Sequence, residues 1–146
     1  MKKFALFIAL LICGSLNAAE IEPVVLKQVL EEAKKNENWK NARLTGTQEQ
    51  VVFMNVSPKT NPKNEIGMEV HTFDQTILIV EGEGKAVLNE TTSSVKAGDL
   101  IFIPMGTQHN VINVDRKKEL KLISFYSMTD IPAETVYKTK AEEAEE

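Results

Sequence analysis

The chain has 146 residues, which is enough for one domain with a buried core and too few for two. It carries 17 basic and 21 acidic residues. The resulting net charge of −4, without a basic cluster, argues against nucleic acid or an anionic membrane as a partner, so we expect one site for a small-molecule ligand.

Residues 1–19 are typical of a secretory signal peptide. Lys2 and Lys3 precede the apolar run FALFIALLI, and small residues close the segment at SLNAAE. The apolar run is shorter than the roughly 20 residues that span a bilayer, so we expect cleavage after Ala18 or Ala19 and a periplasmic or secreted mature protein without a membrane anchor. A cytoplasmic N-terminal helix is the alternative, but it would leave this run apolar on every side.

Removal of this segment would change the chemistry of the chain in two ways. Loss of Lys2 and Lys3 leaves 15 basic against 21 acidic residues, a net charge of −6. Cys13, the only cysteine, would also be removed, so no disulfide or thiol chemistry is expected in the mature protein. Ile12 stands where lipoprotein processing requires a small residue, which argues against a lipid anchor.

Residues 20–48 are predicted to form a helix and a loop. In PVVLKQVLEEAKKN the apolar side chains share one stripe, formed by Val25, Leu26, Val29, Leu30 and Ala33. This spacing is typical of an amphipathic helix, and Pro23 suits its first turn. The charge-rich NENWKNARLTGTQEQ that follows is predicted to be irregular, with Trp39 packing in the core rather than binding a ligand.

Over residues 49–128 the hydrophobic period changes to two and the apolar runs shorten. Eight strands are predicted, at 51–56, 66–71, 76–80, 85–88, 94–95, 100–103, 109–114 and 120–126. Many short strands at close spacing predict an all-β fold, either a sandwich or a small antiparallel β-barrel. The acidic C-terminal tail, residues 129–146, is predicted to be solvated.

The two histidines both lie beside turn-forming residues. Glu69, His71 and Gln75 in EVHTFDQ are separated by even numbers of residues and share one face if the chain reverses without a bulge. Asp74 has the opposite parity and is predicted to point away. This segment therefore predicts one polar face at the mouth of the fold.

The second histidine lies in GDLIFIPMGTQHNVIN, which resembles the second motif of the cupins. The match covers all five fixed positions, which are Gly98, Pro104, Gly106, His109 and Asn113. The glycines are expected to allow turns with positive φ, Pro104 to stiffen the approach to His109, and Asn113 to hydrogen-bond nearby backbone rather than to act in catalysis. The resemblance implies a small antiparallel β-barrel of the jelly-roll kind, with one N-terminal helix in this chain.

The first cupin motif is matched in spacing and altered in two residue types. The family has two histidines one residue apart, a glutamate four or five positions later and a glycine seven positions after that. Here the corresponding residues are Glu69, His71, Gln75 and Gly82. The resemblance covers residues 51–126, and DQTILIVEGEGKAVLN is similar to small single-domain bacterial cupins described as sugar-isomerase-like.

The resemblance implies a divalent-metal site at the barrel mouth with Glu69, His71, Gln75 and His109 as ligands. Two histidines and one carboxylate suit Fe(II), and Mn(II), Ni(II) and Zn(II) also accept them. A desolvated group of this kind needs a cation or other partners. The alternative is that both histidines are hydrogen-bonded groups lining a binding pocket.

Two functions follow from these expectations. One is a metal-dependent isomerase, lyase or dioxygenase acting on a sugar-like or oxygen-rich substrate, with no catalytic residue assigned; Glu69 is the leading general base if it is not a ligand. The other is a non-catalytic barrel that binds a small molecule or metal, with the helix stripe or an edge strand available for a homodimer. A sugar-phosphate substrate is disfavoured because Arg43 and Arg116 are the only arginines and form no cluster.

Overall fold

Two antiparallel sheets make up most of the computed structural model, which describes residues 21–61 and 64–145. The elements in chain order are α1 (Val29–Lys35), β1 (Lys40–Thr45), β2 (Gln50–Val56), β3 (Gln75–Glu81), β4 (Glu83–Leu88), β5 (Thr91–Lys96), β6 (Leu100–Ile103), β7 (His109–Asn113), β8 (Leu120–Tyr126), β9 (Val136–Tyr137) and α2 (Lys140–Glu143). The predicted signal segment lies outside the described residues. Within them, no helix combines the length and apolar character needed to cross a membrane.

The six-stranded sheet has the order β6-β3-β8-β2-β1-β9, and the three-stranded sheet has the order β5-β4-β7. Among the described strands no ladder joins the two sheets, so the all-β fold is as predicted but the sheets do not close into the predicted small antiparallel β-barrel. Two isolated bridges, Glu65 with Ile112 and Glu69 with His109, connect the segment before β3 to β7. The sheets close only part of the way because the segment before β3 pairs with β7 at single residues rather than along a strand.

The core lies between the sheets and follows the predicted alternation of side chains. In β3, Ile77 and Ile79 are buried, and in β6 Ile101 and Ile103 are buried while the intervening residues are exposed. Trp39 is buried in the same core, as predicted for a packing residue. The burial of aliphatic side chains from both sheets is the main favourable term that holds them together.

The predicted helix is shorter than the apolar stripe indicated. Helix α1 has seven residues, and residues 21–27 are not helical. Gln28 has a left-handed φ of 53°, which interrupts the helix on its N-terminal side. Of the predicted stripe, Val29 and Ala33 pack with Val51 and Phe53 on the outer face of the six-stranded sheet, which explains why β2 is buried on both faces.

Seven of the eight predicted strands are confirmed, and three elements were not predicted. Residues 66–71 contain one isolated bridge, at Glu69, rather than a strand. Strand β1 lies in the segment predicted to be irregular. The C-terminal tail was predicted to be solvated, yet it contains β9, which pairs with β1, and helix α2. Strand β9 and helix α2 are ordered by contacts with β1 and Trp39, which lie about 100 residues earlier in the chain.

Gly82 separates β3 from β4 and has a φ of +93°. A Cβ at this position would lie 2.6 Å from the Glu119 carbonyl oxygen. Both the backbone conformation and the close approach of the chain require glycine there. The positive φ expected for Gly98 and Gly106 is also confirmed, at +95° and +79°.

Candidate metal centre

The four predicted ligands come from three segments of the chain. Glu69 and His71 lie in the segment before β3, Gln75 is the first residue of β3, and His109 is the first residue of β7. Glu69 and His109 exchange both backbone hydrogen bonds, each 2.9 Å long. The His71 carbonyl accepts a 2.8 Å hydrogen bond from the Gly106 backbone N–H. The backbone therefore fixes the histidine-bearing segments beside each other.

Three of the four side chains converge. One ligand atom from each of Glu69, His71 and His109 lies within 4.8 Å of the others. Glu69 Oε2 is 3.3 Å from His71 Nε2 and 3.9 Å from His109 Nε2. Ligand atoms at bond lengths near 2.1 Å from one ion would stand roughly 3 to 3.5 Å apart. The group is therefore close to the spacing that a bound divalent ion requires.

The orientation of His109 leaves its Nε2 available. His109 is buried, and its Nδ1 lies 2.9 Å from the Thr107 carbonyl oxygen. A carbonyl oxygen only accepts hydrogen bonds, so Nδ1 carries the proton and the Nε2 lone pair faces the site. Within the described part of the chain, neither His109 Nε2 nor His71 Nε2 has a hydrogen-bond partner although both atoms are buried. Buried ring nitrogens without a hydrogen-bond partner fit a cation.

Gln75 offers a fourth oxygen. Its side chain is buried, and its Nε2 donates a 3.0 Å hydrogen bond to Ser124 Oγ on β8. Its Oε1 is also buried and has no hydrogen-bond partner among the described residues. Asp74 is exposed, and its Oδ1 accepts a 2.9 Å hydrogen bond from the Met105 backbone N–H, so it is turned away as its parity predicted.

The Glu69 carboxyl is ionised at neutral pH. Burial acts most strongly on its pKa and would raise it, but the adjacent His71 side chain and the charge of Lys40, with a smaller effect of His109, outweigh burial. The pKa of Glu69 is therefore lowered from its ordinary value. The group can supply one negative charge to a cation.

Two aromatic side chains that the sequence analysis did not assign to the site form one wall. Phe73 stacks on His71 with ring centroids 4.6 Å apart, and Tyr126 lies 5.8 Å from His71. Burial, followed by the charges of Glu69 and Asp130, raises the pKa of Tyr126, so its phenol stays neutral. The parity of Phe73 with His71 was readable from the sequence. The position of Tyr126 depends on its pairing with Gln75 across β3 and β8.

Two charged residues beside the site were also missed. Lys40 Nζ lies 4.0 Å from Glu69 Oε1 and 2.5 Å from Glu143 Oε1. Lys40 is 29 residues before Glu69, and Glu143 belongs to the tail predicted to be solvated, so no local pattern connects them. Asn113, in contrast, has the predicted backbone role, because its Nδ2 donates to the carbonyls of Val56 and Lys118.

The fold and the site together define a two-sheet β protein with a His/Glu/His group where the sheets meet. The family profile described as Cupin domain matches residues 59–126. A crystal structure of BH2720 from Bacillus halodurans superposes with a TM-score of 0.79 and 31% sequence identity, covering 86% of this chain and 96% of that one. The chain therefore belongs to the cupin superfamily.

Two curated relatives have similar levels of identity. The uncharacterized protein YrkC of Bacillus subtilis is 33% identical over 116 residues, which cover 75% of this chain and 60% of YrkC. The uncharacterized protein L612 of Acanthamoeba polyphaga mimivirus is 34% identical over 112 residues, covering 75% of this chain and 68% of that protein. The chain thus spans about three fifths of the length of YrkC.

Proposed function

We propose that this cupin holds one divalent metal ion through Glu69 Oε2, His71 Nε2, His109 Nε2 and Gln75 Oε1, and acts on a small oxygen-rich substrate. The observation that carries the proposal is the convergence of the Glu, His and His ligand atoms within 4.8 Å. The two orphaned imidazole nitrogens and the orphaned Gln75 oxygen support it. Two imidazoles and a carboxylate suit Fe(II), Mn(II), Ni(II) or Zn(II).

The residues around the ion would give it a defined environment. A bound metal would supply Lewis-acid chemistry to substrate oxygens. Thr107 orients His109, while Phe73 and Tyr126 exclude water from one side. The Glu69 side chain is 28% exposed, which leaves access for a small polar molecule such as a sugar. Isomerase, lyase and dioxygenase reactions are all compatible with this arrangement, and Glu69 is the general base if it does not bind the ion.

A non-catalytic metal- or ligand-binding role is the second candidate. It is favoured because Lys40 and Tyr126, two further titratable side chains beside the ligands, are already engaged. Lys40 is held between two carboxylates, and Tyr126 is kept neutral by its raised pKa. A phenol with a raised pKa is not a ready general base near neutral pH.

We also propose that the protein is exported to the periplasm or medium. The support is the charged, apolar and small-residue order of residues 1–19. N-terminal sequencing of protein expressed from the full chain tests this, and a mature protein that begins at Ala19 or Glu20 is expected. A homodimer is proposed as well, because the edge strand β6 exposes Leu100 and Phe102.

Metal analysis of the purified protein, after growth in medium containing Fe, Mn, Ni and Zn, tests the metal centre. About one equivalent is expected, and the His109→Ala variant is expected to lose it. Asp74→Asn is the matched control. It removes a carboxylate from the same segment, and this carboxylate points away from the site. Less than about 0.1 equivalent in the unaltered protein, with no uptake on titration, would contradict the proposal.

A further inference from the structure

We propose that Lys40 positions Glu69 so that it binds the metal through one carboxylate oxygen, and that Glu143 of helix α2 holds Lys40 for this task. The inference rests on the proposed metal centre. It assigns a part in that centre to two residues outside the cupin motifs. It also brings the C-terminal segment into the site.

Lys40 is the first residue of β1, and its side chain is only 5% exposed. A buried ammonium group requires charged or hydrogen-bonding partners to offset its desolvation. Lys40 Nζ has two such partners, Glu143 Oε1 at 2.5 Å and Glu69 Oε1 at 4.0 Å. The three charged side chains link helix α2 to the metal centre.

The two oxygens of Glu69 face different partners. Oε2 lies 3.3 Å from His71 Nε2 and 3.9 Å from His109 Nε2, whereas Oε1 is the oxygen that approaches Lys40. An ion between the imidazoles would meet Oε2. Rotation of the carboxylate to offer both oxygens would separate Oε1 from the ammonium group and leave a buried charge less well compensated. Lys40 therefore favours one-oxygen binding by Glu69.

Glu143 is itself held firmly. Its Oε2 accepts a 2.6 Å hydrogen bond from Trp39 Nε1, beside Lys40 in the chain. In the same helix, Lys140 Nζ donates to the carbonyls of Glu65 and Ile66, at 3.0 and 2.6 Å. Helix α2 is thus attached both to β1 and to the segment that carries Glu69. This attachment fixes the outer partner of Lys40.

Visible absorption of the Co(II)-loaded full-length protein tests the inference, because the intensity of the Co(II) bands falls as the coordination number rises. The Lys40→Met/Glu143→Gln variant removes both charges and so leaves no unpaired buried ion. With Lys40 gone, Glu69 is expected to bind through both oxygens, and the band intensity to fall roughly twofold. Glu143→Gln alone keeps Lys40 and an acceptor for it, so its spectrum is expected to match that of the unaltered protein.

The outcomes separate the two proposals. Failure of the unaltered protein to bind Co(II) would overturn the metal centre. Co(II) binding with the same spectrum in the double variant would overturn the role of Lys40 and leave the metal centre intact. Glu143→Ala removes the acceptor that holds Lys40, so its spectrum is expected to change in the same direction as that of the double variant, and an unchanged spectrum there would overturn the role of Glu143. Lys40→Arg, which keeps the positive charge, is expected to retain the original spectrum.

Discussion

Gln75 stands where the cupin pattern has a glutamate, and it is buried with an Oε1 that has no hydrogen-bond partner in the described part of the chain. A neutral amide avoids the cost of a second desolvated carboxylate beside Glu69. It also makes a weaker ligand than an ionised group. In the proposed centre, Gln75 would therefore give lower metal affinity and higher stability of the metal-free protein than a glutamate.

Gln75→Glu is expected to have two opposite effects, a lower stability of the metal-free protein and tighter metal binding. The added carboxylate should lower the melting temperature of the metal-free protein, because a second negative charge is buried near Glu69. It should tighten Zn(II) binding by about tenfold or more, measured by competition with a chromogenic chelator.

Gln75→Leu is the control for these two effects. It removes the orphaned oxygen and also the hydrogen bond to Ser124 Oγ while keeping similar size, so Zn(II) binding should weaken and the melting temperature of the metal-free protein should fall less than in Gln75→Glu. Equal Zn(II) affinity in the Glu, Leu and unaltered proteins would show that Gln75 is not a ligand.

The predictable part of the site is the part encoded locally. Glu69, His71 and Gln75 share a short segment, and His109 lies in a motif matched at every fixed position, so the sequence was sufficient to nominate them. Lys40, Glu143 and Tyr126 come from elements distant in the chain. Their approach depends on strand register, which composition and spacing do not determine.

At the level of the elements, the turn between β3 and β4 is the tightest constraint on sequence. Gly82→Ala would combine a left-handed φ with a Cβ 2.6 Å from the Glu119 carbonyl. We expect a loss of about 3 kcal/mol in the free energy of unfolding, measured by urea denaturation. Gly98→Ala has a similar φ but open space around the Cβ, so a loss of only about 1 kcal/mol is expected. Equal losses would show that the close contact does not matter.

Helix α1 covers part of the outer sheet face through one small residue. Ala33 is fully buried in the cluster with Phe53 and Ile123, so Ala33→Asp would place an uncompensated charge there. A loss of roughly 3 kcal/mol in the free energy of unfolding is expected.

Leu30 provides the comparison for this helix, because it is 46% exposed. Leu30→Asp is expected to change the free energy of unfolding by less than about 1 kcal/mol in the same urea experiment. If both variants behave alike, α1 does not pack on the sheet in solution.

The elements were predicted correctly where the apolar residues follow a single period along the sequence. The alternation in β3 and β6 was sufficient, because every second residue is aliphatic and faces the core. Strand β1 was missed because its sequence, KNARLT, mixes charged and apolar residues, and its burial is completed by β2 and β9. The helix was predicted too long because the apolar stripe from Val25 to Ala33 does not reveal the left-handed backbone at Gln28.

For the whole molecule, the lowered carboxyl pKa values predict loss of stability in acid. The pKa of Glu69 lies below its ordinary value of 4.5, and backbone hydrogen bonds from Lys117 and Lys118 lower the pKa of Asp115 from 3.8. A carboxyl with a lower pKa in the folded state contributes stability above its unfolded pKa, and this contribution is lost as the pH falls through the folded value. The urea midpoint of the metal-free protein should therefore be nearly constant above about pH 5.5 and fall below about pH 4.5.

Glu69→Gln isolates the contribution of the site to this acid response. Its urea midpoint should depend less steeply on pH between about 4.5 and 3 than that of the unaltered protein. Asp115→Asn retains a hydrogen-bond acceptor in the turn before β8 and serves as the comparison away from the site. Identical pH profiles for Glu69→Gln and the unaltered protein would contradict the assigned ionisation of Glu69.

The bridge between Glu69 and His109 connects the two sheets through single residues rather than a continuous ladder. An ion bound by His109 on β7 and by Gln75 on β3 would act as a cross-link across this seam. Opening of the sheets would then require the ion to leave, so amide hydrogens along β7 should exchange with solvent more slowly in the loaded protein.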